Sequence, residues 1–115
     1  MKELYSIGEV AEIMGVSVQT LRHYNNINLL APKYINPSTG YRYYSVDQFH
    51  LIDRIKYLQK FNLSLEEIRE ILAENNINTL VKYLDKCKIS LEEEISKLKD
   101  TIDGIQWYKD YFTYV

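Results

Sequence analysis

Up to about residue 75, apolar residues fall into short runs with helical spacing, most of them opened by a serine. Ile7, Val10, Ala11 and Met14 share one face of a helix predicted from about Ile7 to Met14, and Gly15 stands where a left-handed residue ends a helix. Val18 and Leu21 anchor a second helix that begins after Ser17 and fades near Asn25-Asn26. Phe49, Ile52, Ile55, Tyr57 and Leu58 give a longer third helix, from Ser45 to about Lys60. Leu65, Ile68, Ile71 and Leu72 give a fourth, from Leu65 to about Ala73, broken by Asn75-Asn76. Ser6-Ile7-Gly8-Glu9, Ser45-Val46-Asp47-Gln48 and Ser64-Leu65-Glu66-Glu67 each match the capping box. In that motif a serine hydroxyl takes a free amide of the first turn, and the residue three later reaches back. Ser17 is a fourth N-cap without the reciprocal partner.

Between the second and third helices the pattern changes. Leu29-Leu30 re-enters the core, and Tyr34-Ile35 and Tyr41-Arg42-Tyr43 have the aromatic and β-branched content of strands. Asn36-Pro37-Ser38-Thr39-Gly40 supplies the turn residues of a short hairpin between them. From Asn78 the spacing alternates between three and four. Val81, Ile95 and Ile102 form one apolar column, interrupted by Lys88 and Lys109; Leu84, Leu91, Leu98, Ile105 and Phe112 form the other. That alternation is the signature of a coiled coil. A helix to about Tyr111 is on the order of 50 Å long at 1.5 Å per residue, too long to bury its stripe on so small a body. A second copy of the chain is the simplest partner. The expected fold is therefore mainly α: a winged helix-turn-helix of four helices plus a small β-hairpin wing over residues 1–75, then a long coiled-coil dimerisation helix over 76–115. The dimerisation residues are Leu84, Leu91, Ile95, Leu98, Ile102 and Ile105.

Charge sharpens the picture. The 115 residues carry a net charge of -2, which argues against a histone-like, charge-driven binder of nucleic acid. The two halves differ, however: residues 1–60 hold seven Lys or Arg against five acids, and 61–115 hold seven against eleven. From Ile13 through Val46 there is no Asp or Glu at all. That window holds Arg22, His23, Lys33 and Arg42, interleaved with Tyr24, Tyr34, Tyr41, Tyr43 and Tyr44. A surface that meets a polyanion must avoid carboxylates, because each repels phosphate as strongly as a lysine attracts it. A merely solvated face mixes signs.

On the second helix Gln19, Thr20, Arg22, His23 and Tyr24 supply groups that can meet base edges or phosphates. In the hairpin, strand alternation puts Tyr41 and Tyr43 on one face and Arg42 and Tyr44 on the other. Spacing alone assigns neither face to DNA. The single Cys87 lies in a helical stripe, where packing explains it, and no Cys/His cluster has metal-site spacing. His50 has no ligand partner nearby in sequence. The aromatic group Trp107, Tyr108, Tyr111, Phe112 and Tyr114 fits the end of a helix packing across a dimer. No nucleophile–base pair, phosphate loop or metal motif stands out, so neither an enzyme nor a cofactor is expected. No apolar run is long enough to span a bilayer, and Met1-Lys2-Glu3 does not open an export signal, which points to the cytoplasm. The alternative to a DNA reader is a coiled-coil protein-interaction module that does not bind DNA.

Tyr5-Ser6-Ile7-Gly8-Glu9-Val10-Ala11, Gly15-Val16-Ser17, Thr20-Leu21-Arg22-His23-Tyr24 and Leu29-Leu30-Ala31-Pro32 closely resemble the N-terminal domain of the MerR family of transcription regulators. Asn36 through Ser45, Asn-Pro-Ser-Thr-Gly-Tyr-Arg-Tyr-Tyr-Ser, is most similar to the multidrug-sensing branch. The resemblance runs colinearly from Tyr5 to about Leu72, and the heptad helix continues it. It implies a homodimer held by an antiparallel coiled coil, seated on double-stranded promoter DNA with RNA polymerase as partner. Such regulators bend and untwist a promoter whose elements are spaced too far apart for the polymerase. The DNA-binding set it implies is Ser17, Val18, Gln19, Thr20, Arg22, His23 and Tyr24 from the second helix and its cap, Tyr41, Arg42 and Tyr43 from the wing, and Lys60 at the following turn. Many relatives have Tyr in place of His23 and an acid in place of Asn25, so base preference is expected to differ. The metal-sensing branch carries cysteines at the end of the long helix, and none occurs here. In the multidrug branch an effector domain follows the coiled coil. The sequence ends at Val115, as expected of either a truncated chain or a naturally short regulator.

Overall fold

The computed structural model describes residues 2–114. The chain divides into two units, the first ending at Asn76 and the second starting at Ile77.

The first unit runs β1 (Leu4–Ser6), α1 (Ile7–Met14), α2 (Val18–Asn26), β2 (Tyr34–Ile35), β3 (Arg42–Ser45), a 3-10 turn (Val46–Gln48), α3 (Phe49–Gln59) and α4 (Leu65–Glu74). The caps behave as their chemistry dictates. At α1, Ser6 Oγ accepts from the Glu9 N–H at 3.2 Å while Glu9 Oε1 accepts from the Ser6 N–H at 2.9 Å. At α4, Ser64 and Glu67 make the same exchange at 3.1 and 3.0 Å. Ser17 opens α2 by accepting from the Thr20 N–H at 2.9 Å. Gly15 ends α1 at φ 66°, and Asn75 ends α4 at φ 46°. At Ser45 the outcome differs from the expected helix start: the segment opens as the 3-10 turn, and α3 begins only at Phe49. There Gln48 is used twice. Its Oε1 accepts from the Ser45 N–H at 3.0 Å, and its Nε2 donates to the Ala31 carbonyl at 2.8 Å, tying down the segment ahead of β2.

The hairpin β2–β3 is joined by a third strand that the sequence pattern did not suggest. The sheet order is β1-β3-β2, all antiparallel, with Tyr5 opposite Tyr44 and Tyr34 opposite Tyr43. β1 is only three residues long, and its partner lies about forty residues downstream. Val10, Leu21, Tyr44, Ile52, Ile55 and Ile68 form the fully buried centre, where helices and sheet meet. Val18, Leu65 and Leu72, expected inside, are half-buried. Tyr57, expected as an apolar position of the third helix, is 61% exposed, because it lies off the face shared by Ile52, Ile55 and Leu58.

Glu9 has a measurable signature. Its hydrogen bond from Lys2, reinforced by the Ser6 N–H, holds the carboxyl at about 2, below its ordinary 4.5. A depressed carboxyl stabilises the fold above its unfolded pKa and loses that contribution as pH falls through the folded one. Glu9→Gln keeps a side-chain acceptor for the Ser6 amide but removes the charge. The variant should therefore melt below the parent at neutral pH, with the gap closing between pH 4.5 and about 2. Thermal melts across that range check it; a gap that does not change with pH would refute it.

The second unit is one helix, α5 (Ile77–Tyr114), of 38 residues. It runs three residues past the expected end and is about 57 Å long at 1.5 Å per residue. Leu91, Ile95, Leu98, Ile102 and Ile105, drawn from both apolar columns, are all exposed along it. Among the described residues no helix is long and apolar enough to cross a membrane.

Candidate nucleic-acid interface

Helix α2 turns one face inward through Leu21 and Tyr24, three residues apart. Gln19, Arg22 and His23 remain exposed on the other side, Ser17 is exposed at the cap, and Val18 and Thr20 are half-buried. The expectation that Tyr24 contacts DNA is corrected here. Its side chain is 2% exposed, and its hydroxyl donates to Gln59 Oε1 of α3 at 3.1 Å. Burial pushes the phenol pKa upward, so it stays a neutral donor. The i, i+3 spacing from Leu21 was the sequence signal for this; the polar hydroxyl masked it.

Two cations fix the helices of the turn. Lys56 Nζ donates to the Met14 carbonyl at 2.6 Å, at the C-terminal end of α1. Arg69 Nη1 donates to the Ile27 carbonyl at 2.9 Å, at the end of α2. Each satisfies a carbonyl that the helix leaves free and sits at the negative end of its dipole. Both contacts span 42 residues of sequence, so no local pattern announced them.

An open groove of about 740 Å³ runs beside α2, where Ser17, Gln19, Thr20 and His23 meet Lys56 and Gln59. A second groove, of about 510 Å³, lies on the other side of His23 and is bordered by Asn26, Asn28, Ser64, Glu66 and Arg69. The window without carboxylates in the sequence thus has a carboxylate beside it in space. Glu66 enters from α4, paired with Arg69 at 3.7 Å.

The wing is built around Asn36. Its N–H donates to the Tyr41 carbonyl at 2.9 Å, and its Oδ1 accepts from the Ser38 and Thr39 amides at 2.9 and 3.3 Å. Gly40, at φ 74°, closes the turn with a 2.7 Å bond to the Asn36 carbonyl. Tyr41 lies just before β3 and is 65% exposed. Tyr43 and Tyr34 meet across the strand pair in a tilted arrangement, with ring centres 6.1 Å apart. On the opposite face Tyr44 is fully buried and Arg42 half-buried, so the alternation that sequence left open puts Arg42 on the inward side. Lys60 caps α3 and is exposed, its Nζ 5.6 Å from the Tyr57 ring. Among the described residues no group of three or more His, Cys, Asp or Glu is placed to hold a metal ion.

The family model described as "MerR HTH family regulatory protein" matches residues 5–75. The chain is 45% identical over 71 residues to the multidrug-efflux transporter 1 regulator of Bacillus subtilis (strain 168), covering 61% of this chain and 26% of that protein. It is 33% identical over 101 residues to the HTH-type transcriptional activator mta of the same organism, covering 86% and 39%. The chain thus spans between a quarter and two-fifths of the length of these curated relatives. Among solved structures, it resembles the protein in a cryo-EM structure of the EcmrR–DNA complex in EcmrR-RPo, with a TM-score of 0.76 and 30% identity, covering 93% of this chain and 39% of that one.

Proposed function

The chain belongs to the MerR HTH family of regulatory proteins, and from that premise we propose that it is a sequence-specific, DNA-binding transcription regulator. It acts in the cytoplasm as a homodimer on promoter DNA, with RNA polymerase as partner and without enzymatic chemistry. The observation that carries this reading is the exposed face of α2, where Gln19, Arg22 and His23 face outward on a helix held by Arg69 at its end and by the Tyr24–Gln59 bond beneath it. A clamped helix presents its side chains to a major groove without first paying to order its backbone. Tyr41 and Lys60 flank it as phosphate contacts, and Ser17 and Thr20 line the groove at its start. Two such heads, joined through α5, grip one duplex at two places. Distorting the promoter between them costs several kcal/mol, which contacts to the phosphates offset.

A footprint on the DNA upstream of its own gene would locate the operator. Affinity for that duplex should then fall at least about 100-fold between about 50 and 200 mM salt, as for a protein that neutralises several phosphates. Absence of any protected site, or binding indifferent to salt, would overturn the reading.

A further inference from the structure

Two grooves meet at His23, and their charge differs. The first, of about 740 Å³, is lined by Ser17, Gln19, Thr20, Lys56 and Gln59, and no carboxylate borders it. Lys56 uses one of its N–H donors on the Met14 carbonyl and keeps the others for an anion. In the second groove, of about 510 Å³, the charged side chains are Arg69 and Glu66. Arg69 is committed inward, its Nη1 bonded to the Ile27 carbonyl at 2.9 Å. Its Nη2 stands 3.7 Å from Glu66 Oε1, too far for a hydrogen bond, and the Glu66 side chain is 86% exposed against 43% for Arg69. The carboxylate thus reaches further into solvent than the cation beside it, which makes the α4 rim of this groove negative. The cap of α4 does not call for that charge, because Ser64 exchanges its two hydrogen bonds with Glu67.

We propose that Glu66 is a specificity-determining residue: its carboxylate keeps phosphates out of the second groove, so a duplex is accepted only with its near strand on the Lys56 side of α2. The inference rests on the DNA-binding reading above. On the operator, base contacts from the exposed face of α2 fix the seating, and Glu66 stays clear of the backbone. On any other duplex charge alone holds the complex, and the head tilts among many seatings. Seatings that bring a phosphate to the α4 rim meet Glu66 and are disfavoured. Specificity is a difference of affinities, and a charge set against the wrong seating widens that difference without touching the right one.

Glu66→Gln removes the charge, keeps the size of the side chain, and spares both the Arg69–Ile27 bond and the Ser64–Glu67 cap. We expect its affinity for a duplex of unrelated sequence to rise about 3- to 10-fold, while operator affinity changes less than about 2-fold, the effect of one exposed charge. The gain should shrink as added salt screens the repulsion. Glu66→Asp, which keeps the charge, should retain the parent's preference for the operator. Titration of both duplexes with the parent and the two variants checks all three expectations. An unchanged preference in Glu66→Gln, an equal rise on both duplexes, or a Glu66→Asp variant that behaves like Glu66→Gln would overturn the inference. So would weaker operator binding in Glu66→Gln, as a base contact or a merely structural role would give. In each of those outcomes the parent still binds its operator, and the DNA-binding reading stands. A parent that binds no duplex would remove that reading and this inference with it.

Discussion

A chain carrying Leu91→Glu and Leu98→Glu should behave in solution as a single protomer and bind its operator about 1,000-fold more weakly than the parent, within the range by which linking two binding heads raises affinity. Leu91 and Leu98 are exposed along one column of α5, one heptad apart. In the proposed dimer both enter the seam between two helices. A glutamate there must either be buried without a cation or hold the helices apart, and both outcomes cost more than the apolar contact contributed. The consequence for DNA is large because each head alone makes only half the contacts. The first unit has its own core around Ile52, Ile55 and Ile68, so its melting should survive the change. Sedimentation gives the mass and titration with labelled duplex gives the affinity. A dimer that persists in this variant would show that the seam lies elsewhere on α5.

What the sequence disclosed and what it hid divides by range. Elements set by neighbouring residues were legible. The Ser6 and Ser64 caps, the left-handed Gly15, the helix break at Asn75 and the Asn36–Gly40 turn all act over four or five positions, and the helices between them follow. The heptad was legible for the same reason, because its signal repeats. Features made by distant pairs were not. β1 exists only because Tyr5 meets Tyr44, and three residues carry too little alternation to announce a strand. The Lys56 and Arg69 clamps, and the arrival of Glu66 beside His23, depend on where α3 and α4 pack. Tyr24 fell between the two cases. Its position in the helical period was readable, but a tyrosine satisfies both an inward and an outward reading until its hydroxyl finds Gln59.

Arg22→Ala should weaken operator binding about 10- to 100-fold, the cost of removing one well-placed arginine contact to a base. Arg22 is exposed in the middle of α2, between the inward-facing Leu21 and the exposed His23, and among the described residues it makes no ion pair. Alanine is the strongest helix former, and an exposed substitution of this kind shifts stability by about 0.5 kcal/mol or less, so the melting temperature should stay where it is. The loss would therefore belong to the complex and not to the fold. Two readouts separate the ways it can arise. If Arg22 meets a base edge, discrimination relaxes at one operator position while the salt dependence is kept. If it meets a phosphate, affinity falls on every duplex alike and the slope of log affinity against log salt loses about one unit. Because α2 is pinned at its far end through the Ile27 carbonyl, the helix cannot easily swing to let His23 or Gln19 take over the vacated contact. An Arg22→Ala variant that binds as tightly as the parent would mean that α2 is not the helix that reads the operator.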